Sequence, residues 1–440
     1  MQGDRQTAGV ARRLPLDHSR PFPTVPDQIE QTQQTLHMES STRTPSERLL
    51  HDAPEFSLVL GGPLYQLLRR AHLTDDALTH LRQRMVVIAL LGWLPLLVLS
   101  ALEGQLWGGS VAVPFLHDVE AHVRFLVVVP LLVLAELVVH QRMRFLLKQF
   151  IERDLIPESA MARFDAAIAS AFRLRNSVPA ELLLIAIVYG LGILVVWRQY
   201  VALDAATWYA TPSSAGPILS LAGMWFGYVS LPLFQFLLLR WYFRLFIWMR
   251  FLWQVSRIEL SLVPTHPDRT GGLGFLAATA YAFMPLLVAH GALLAGNLAN
   301  RIFHLGAALP DFRFEILLYV VFMLCIVLGP LLVFAPQLAQ AKRIGNREYG
   351  TLAQRYVREF DAKWLRGGAP ADEPLVGSGD IQSLADLGNS LEVVRGMRIA
   401  PVTKDAILRL GAATLAPLVP LALTMMPLED LLKKLFDILF

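Results

Sequence analysis

Residues 85–102 read MVVIALLGWLPLLVLSAL, an apolar stretch without a single charged side chain. The hydrocarbon core of a bilayer is about 30 Å thick, and about 20 apolar helical residues cross it. The stretch is therefore long enough for one crossing, and it predicts a membrane protein rather than a soluble domain. Further stretches of the same kind follow at 125–139, 178–197, 218–239, 274–298 and 316–334.

The composition points the same way. The 440 residues are 54% hydrophobic and 17% charged, whereas soluble domains carry about 25% charged residues. A net charge of +3 is too small to suggest nucleic acid as a partner. The only cysteine, Cys325, excludes a disulfide within the chain and a cysteine-based metal site. The sequence calls for no cofactor.

These stretches predict an all-α fold, a polytopic transmembrane helical bundle of six or seven crossings with juxtamembrane cytoplasmic helices. Lysine and arginine concentrate in cytoplasmic loops of membrane proteins. Here they crowd the gaps 140–177 and 240–273 and the stretch after 334, whereas the gaps 103–124, 198–217 and 299–315 hold few. The alternation predicts a multi-pass protein with a cytoplasmic N-terminus.

The chain divides into segments of different texture. Residues 1–54 hold too few apolar residues to bury a core, which predicts a disordered tail. Residues 55–84 are expected to form juxtamembrane helices at the membrane surface, 85–336 the six-helix transmembrane region, and 337–405 a cytoplasmic helical segment. For 406–440 two interpretations stay open, a seventh crossing or a re-entrant hairpin, each followed by an amphipathic helix over 427–440.

The string THPDRTGGLGFL, residues 265–276, stands just before the fifth crossing and carries the most distinctive chemistry. Glycine N–H groups at a helix start attract anions, and an arginine adds a contact to phosphate or carboxylate. A plainer interpretation is a hydrogen-bonded turn in which the aspartate caps the helix and pairs with the arginine. The candidate ligand-binding residues are His266, Asp268, Arg269, Gly271 and Gly272.

Glu136 and Glu181 are the formal charges inside the six stretches. A carboxylate facing lipid is costly, so Glu136 should face protein or a water-filled cavity, and an arginine at the cytoplasmic end is its expected partner. Glu181 stands one turn into its helix, which is compatible with the interface. His290 is a candidate for proton relay, although a buried, hydrogen-bonded histidine is the commoner case.

Two other patterns bear on the bundle. In the outer loop, Asp118 and His122 share a face if the segment is helical, but a zinc site would need a further ligand such as His304 or Asp311. A salt-bridged turn explains the loop better, and no metal site is predicted. Small residues at mostly four-residue steps predict that the fifth helix is central: Ala278, Ala282, Ala289, Ala292 and Gly296.

Four strings together resemble a family of uncharacterised bacterial inner-membrane proteins. They are GGPLYQLLRR at 61–70, VPFLHDVEAHVRFL at 113–126, THPDRTGGLGFL at 265–276 and GSGDIQSLADLGNSLEVVRGMR at 377–398. The likeness covers roughly residues 55–440. It implies a bacterial cytoplasmic membrane location, and it brings no activity with it.

Three function classes remain, each with its own structural expectation. A channel or transporter predicts a polar cavity lined by residues such as Glu136 and His290. An enzyme acting on a lipid or isoprenoid phosphate predicts that His266, Asp268 and Arg269 converge with another acid on a groove open to lipid. A membrane scaffold predicts neither. The expected partners are the lipid bilayer and anionic lipid headgroups, with a homo-oligomer left open.

Overall fold

The computed structural model describes residues 56–70, 80–108, 111–190, 206–211 and 217–425. Four sequence predictions lie wholly or partly outside these residues: the disordered tail 1–54, residues 71–79 of the juxtamembrane segment, the last part of the third crossing at 191–197, and the amphipathic helix 427–440. Everything below refers to the described part of the chain.

Helices dominate the described residues, and two short strands pair antiparallel with Ala210 opposite Leu219. In chain order the elements are α1 (Pro63–Arg70), α2 (Leu81–Leu102), α3 (Val119–Glu152), α4 (Met161–Arg175), α5 (Val178–Gly190), β1 (Ala210–Thr211), β2 (Ile218–Leu219), α6 (Leu221–Val255), α7 (Phe275–Leu305), α8 (Leu309–Leu365), α9 (Gly379–Arg395) and α10 (Lys404–Met425).

Six of these helices, α2, α3, α6, α7, α8 and α10, are long and apolar enough to span a membrane. The all-α polytopic bundle predicted from the sequence is confirmed. Helix α7 is the most deeply packed of the six, with 72% of its apolar window buried. The central place that its small residues predict is therefore confirmed.

The helix of the second crossing is longer than its apolar run and continues beyond it at both ends. Its apolar run, 125–139, would rise only about 22 Å, whereas the 34 residues of α3 rise about 50 Å. A wide π-helical turn over Arg124–Val128 joins its first turn to the rest. At the start of the helix the added residues Glu120 and Arg124 form an ion pair with each other, and at its end Leu147 and Phe150 are buried.

The arginine-rich gaps meet at one end of the bundle, here called the arginine-rich end. Ser261 N donates to Leu155 O at 3.0 Å, and Gln337 Nε2 donates to Ser256 O at 2.8 Å. The poorly charged gaps meet at the opposite end, where His304 Nε2 lies 3.0 Å from His117 O. The alternation seen in sequence thus corresponds to two distinct ends of one bundle.

Helix α10 runs parallel to α7 along most of its length. Near its start Tyr281 Oη donates to Asp405 Oδ2 at 2.8 Å, at the arginine-rich end. Near its end Leu421 packs in a cluster with Leu298 and Phe312, at the opposite end. This path favours a seventh crossing over a hairpin that returns to the side it entered from.

The segment expected to lie on the membrane surface before the first crossing is partly buried instead. Residue Phe56 is fully buried, packed against Phe172 and Phe251. Only α1, after the Gly61–Gly62–Pro63 break, keeps the predicted character of a short helix with a basic end. Aromatic residues explain the difference, because rings on α4 and α6 offer Phe56 an apolar site.

Candidate functional site

The THPDRTGGLGFL turn is organised by the carboxylate of Asp268. Its Oδ1 accepts hydrogen bonds from Thr270 N at 2.7 Å and Gly272 N at 3.2 Å, and its Oδ2 accepts from Gly274 N at 2.8 Å. Gly271 and Gly272 have φ of 63° and 100°, a region that suits glycine. The N–H groups of Gly272 and Gly274, which the anion-site interpretation needs, are therefore bound by a side chain of the same turn.

The hydrogen-bond donors around this carboxylate stabilise its ionised form. Burial alone would raise the pKa of Asp268, but the N–H groups of Thr270, Gly274 and Gly272, together with His266, lower that pKa below its ordinary value. Hydrogen bonds that favour the ionised form act in this direction. Asp268 is thus the anion of the turn at neutral pH.

The other residues of the turn hold the segment after α9 against the bundle. Arg398 N donates to Arg269 O at 2.7 Å, and Arg398 Nη2 donates to Asp268 O at 2.8 Å. The neighbouring residue Met397 is buried, and its carbonyl oxygen accepts a hydrogen bond from Lys342 Nζ at 2.7 Å. His266 Nδ1 lies 3.0 Å from the Asp268 carboxylate and accepts from Asp268 N at 3.2 Å, so the side chain beside this carboxylate is His266 and not the predicted Arg269.

Among the five candidate residues only Arg269 is exposed; Gly271 and Gly272 are buried, and His266 and Asp268 are half-buried. Arg269 has a φ of 56°, and its guanidinium packs beside Gly396. The five residues are together in space, and ligand binding by them stays a prediction. In the structure these residues connect the helical hairpin of α8 and α9 to the transmembrane region.

We expect Asp268→Ala to lower the free energy of unfolding by about 2 kcal/mol, because three N–H donors lose their acceptor at once. The measurement is thermal or denaturant unfolding of the purified protein in detergent. Asp372→Ala, on the exposed loop of the hairpin, is the matched control and should change stability by less than about 0.5 kcal/mol.

The pH dependence has a definite sign. Because its folded pKa is depressed, Asp268 contributes stability above its unfolded pKa of about 4, and that contribution is lost as the pH falls through the folded value. The difference in stability between wild type and Asp268→Ala should therefore shrink below about pH 4. A difference that grew on acidification would contradict the role assigned to the carboxylate.

Glu136 lies in a buried group of charges at the arginine-rich end, the inner charge cluster, formed by Arg84, Glu136, Glu181, Arg240 and Arg244. Glu136 Oε1 accepts from Arg244 Nη2 at 2.6 Å and lies 3.9 Å from Arg240 Nη1, while Oε2 accepts from Arg84. Arg240 Nε lies 3.5 Å from Glu181 Oε1. The prediction that Glu136 pairs with an arginine is confirmed, and three arginines lie around its carboxylate.

The inner charge cluster is tightly packed. All five side chains are buried, and the cavity beside Glu181, Arg240 and Arg244 measures about 10 Å³, room for one water at most. Trp241 closes another side, since its Nε1 donates to Leu132 O at 3.0 Å. Glu136 is thus held among protein side chains, with 7% of the residue exposed.

The first turn of α1 and the chain that precedes it cover the cluster. Glu181 Oε2 accepts from Leu64 N at 2.8 Å, so this glutamate is buried and hydrogen-bonded rather than interfacial. Gly62 N donates to Asn176 Oδ1 at 3.0 Å, and Arg175 Nη1 donates to Ser57 O at 2.7 Å. A Cβ on Gly62 would lie 3.0 Å from a carbonyl oxygen, which explains the glycine.

His290 is a hydrogen-bonded core residue of α7. Its Nδ1 lies 2.8 Å from Leu286 O, and its Nε2 lies 2.8 Å from Tyr242 Oη. A carbonyl only accepts, so Nδ1 carries the proton and Nε2 accepts from the tyrosine. Both ring nitrogens are occupied and the side chain is 2% exposed. The commoner interpretation of a buried histidine therefore fits the geometry, and relay stays a prediction.

A cavity of about 420 Å³, the outer cavity, opens at the opposite end of the bundle between the start of α3 and the last turns of α7. Its α7 wall extends from Asn297 to Leu305, about 12 Å along the helix axis. Apolar side chains of Val113, Tyr209 and Phe226 form much of the remaining wall.

The polar groups of the outer cavity are fixed by one another. Asp118 accepts from Trp208 Nε1 at 2.9 Å and from Asn300 Nδ2 at 2.8 Å, and it caps α3 through Ala121 N at 3.0 Å. Glu120 forms an ion pair with Arg124 and accepts from Asn297 Nδ2 at 3.3 Å. A small, rigid set of polar groups in an apolar hollow is typical of a small-molecule site.

The outer loop does not assemble a metal site. His122 Nδ1 accepts from Trp93 Nε1 at 2.9 Å, away from Asp118, and His304 contacts the backbone of His117. Asp311 accepts from Ala308 N in its own turn. Among the described residues no three His, Cys, Asp or Glu side chains are grouped to hold an ion.

Residues at the two ends of the outer cavity wall could be singled out from the sequence, but the cavity itself was not predicted. Asp118 and His122 drew attention by their spacing, but Asn297 and Asn300 were not among the candidate residues. The available signal was Asn297 and Asn300 at i and i+3, which share one face of α7. Comparison of the chain with protein-family models, curated proteins and solved structures gives no match.

Proposed function

We propose that this integral membrane protein is a carrier-like protein that binds a small solute in the outer cavity. The single observation that carries the proposal is that cavity: about 420 Å³, mostly apolar, with polar groups of Asp118, Glu120, Asn297 and Asn300 held in fixed positions. Pre-arranged polar groups in a hollow of this size lower the ordering cost of binding a drug-sized or smaller molecule.

A carrier fits the packing better than an open channel does. Below the outer cavity the side chains of Phe125, Val128 and Leu132 on α3 are fully buried, and the inner charge cluster closes the arginine-rich end. The outer cavity lies at the end of the bundle opposite the inner charge cluster, an arrangement compatible with one state of an alternating-access carrier.

We further propose that the arginine-rich end faces the cytoplasm of a bacterium, with the N-terminus on that side, and that the outer cavity opens to the other side. The support is the lysine and arginine bias, which orients membrane proteins, and the resemblance to the family of bacterial inner-membrane proteins. Membership of that family remains part of this proposal.

The other two classes find less support in the arrangement. An enzyme acting on a lipid phosphate needs His266, Asp268 and Arg269 to converge with a second acid, but the Asp268 carboxylate is turned toward the N–H groups of its own turn. A scaffold needs no cavity, so the outer cavity distinguishes the carrier from the scaffold. Both stay predictions from the sequence.

The test is solute exchange in proteoliposomes against a defined mixture of amino acids, amines, organic acids and nucleosides, followed by mass spectrometry. We expect at least one solute to be taken up by wild type and its uptake to fall about tenfold or more in Asn297→Leu, because the polar contact is lost and Glu120 loses a donor. Asn389→Leu, on the exposed face of α9, is the matched control and should retain uptake.

A second measurement addresses the side of entry. In a Cys325→Ser background, Asn300→Cys should react with a membrane-impermeant thiol reagent from the non-cytoplasmic side, and the transported solute should slow the reaction. Uptake of no solute in the mixture, or modification of Asn300→Cys only from the cytoplasmic side, would count against the carrier proposal.

A further inference from the structure

The inner charge cluster holds more positive than negative charge. Three arginines, Arg84, Arg240 and Arg244, face two glutamates, Glu136 and Glu181, all of them buried. The cluster therefore carries one positive charge in excess among the residues that the structure describes. Arg84 Nε is a buried donor without a hydrogen-bond acceptor among the described residues, so the donors of Arg84 are incompletely satisfied.

A fourth arginine lies directly beside the cluster. Arg175 lines the same crevice as Arg240 and Arg244, and its guanidinium bonds to the Ser57 carbonyl through Nη1 and to Asn176 Oδ1 through Nε. Burial lowers the pKa of Arg175 to about 10, so the side chain stays charged at neutral pH. Its Nη2 takes part in neither of these two bonds.

Excess buried charge is expensive in a membrane protein, and an arriving counter-ion relieves the cost. The two carboxylates cannot balance this excess charge. Glu136 already contacts three arginines, and Glu181 contacts Arg240 and accepts a hydrogen bond from Leu64 N. An anion from outside the chain can balance it, and guanidinium groups match the oxygens of phosphate.

The level of the crevice within the bundle identifies the source of such an anion. Arg84 precedes the apolar stretch 85–102, Glu181 stands near the start of 178–197, and Arg240 follows 218–239. Three crossings thus end their apolar runs at the same level, where lipid phosphates lie. Phe243, which is half-buried, lines the crevice next to the arginines and suits an acyl chain.

We propose that the mouth of the crevice between Gly61, Arg175 and Arg240, on the side of Arg175, binds the phosphate diester of an anionic lipid in the leaflet at the arginine-rich end. Basic pockets between transmembrane helices recognise lipid headgroups in this way. The crevice itself has a volume of only about 10 Å³, so the phosphate sits at its mouth, against Arg175. The proposal is independent of the outer cavity and of any solute.

The test measures stabilisation of the purified full-length protein in detergent by phosphatidylglycerol, with phosphatidylcholine as the uncharged comparison. We expect phosphatidylglycerol to raise the unfolding temperature of wild type and its apparent affinity to fall about tenfold in Arg175→Gln, since one charge-assisted bond to phosphate is lost. Arg175→Lys should recover part of that affinity, because it restores the charge without the planar fork.

Arg269→Gln is the matched control, because Arg269 is an exposed arginine at the same end and belongs to the turn in which the sequence predicted anion binding. We expect it to bind phosphatidylglycerol as wild type does. A loss in Arg269→Gln with none in Arg175→Gln would overturn the proposal and place the lipid at the turn.

Two further arms keep the experiment decisive. Inorganic phosphate at equal phosphorus concentration should stabilise the protein far less than the lipid; equal stabilisation would overturn the lipid source while supporting a phosphate site. If Arg175→Gln fails to fold, a photoactivatable phosphatidylglycerol on wild type should crosslink within residues 56–64, 172–183 or 240–247, and crosslinks elsewhere alone would overturn the assignment.

Discussion

Replacing Glu136 with glutamine is expected to lower the free energy of unfolding by about 3–5 kcal/mol, the range found when one partner of a buried ion pair is removed. The amide keeps the shape of the side chain and removes its charge. Arg84, Arg240 and Arg244 are then left in the buried interior with Glu181 as their remaining carboxylate. Unfolding of the purified protein in mixed detergent micelles, followed by tryptophan fluorescence, measures the change.

The control is a carboxylate whose ion pair is exposed to solvent. Glu315 lies 2.9 Å from Arg301, and the two side chains are 45% and 41% exposed. Glu315→Gln should therefore cost less than about 1 kcal/mol. If Glu136→Gln and Glu315→Gln had similar effects, the inner charge cluster would not be the buried, water-poor group described above.

A double variant sharpens the interpretation. Arg244→Gln alone should also lower stability, because Glu136 loses its hydrogen bond of 2.6 Å. In Glu136→Gln with Arg244→Gln, one charge of each sign is gone and the remaining excess is unchanged. The loss of stability in the double variant should be smaller than the sum of the two single losses, as contacting residues show. Strict additivity would contradict direct pairing.

The inner charge cluster also marks the limit of prediction from this sequence. That Glu136 needs an arginine follows from the cost of burying a carboxylate in lipid, and the prediction needed no structure. The packing of four helices brings Arg84, Arg240 and Glu181 next to Glu136. No spacing along the chain encodes that packing. Phe56 was missed for the same reason, since its aromatic partners are more than 100 residues away.

The crossings themselves were predictable because lipid imposes a simple rule on each helix separately. Apolar length and the positions of arginine are local properties, and they gave the bundle and its two ends. The outer cavity is not local: Asn300 on α7 meets Asp118 before α3, and Trp208 completes the set from a short loop. A turn such as 266–274 lies between these cases. Its short-range hydrogen bonds made a turn around an aspartate predictable, whereas the carboxylate binds N–H groups of the turn and does not cap the helix that begins at Phe275.

Gly291→Ala is the second substitution with a large expected effect, and it tests the path of the C-terminal helix. A Cβ built on Gly291 would lie 2.0 Å from Thr414 O and 3.1 Å from Pro417 Cδ. The backbones of α7 and α10 therefore touch at this point, and a methyl group must push them apart. We expect a loss of about 3 kcal/mol in the free energy of unfolding, at the upper end of the cost of overpacking.

Gly411→Ala is the matched control on the other helix of the pair. A Cβ at Gly411 meets nothing within 4 Å, so the substitution should be neutral or should stabilise α10 by up to about 1 kcal/mol through helix propensity. A seventh crossing packed along α7 requires the two variants to differ widely. A hairpin confined to one interface would leave Gly291 without Thr414 beside it, and the two alanine variants would then be equally stable.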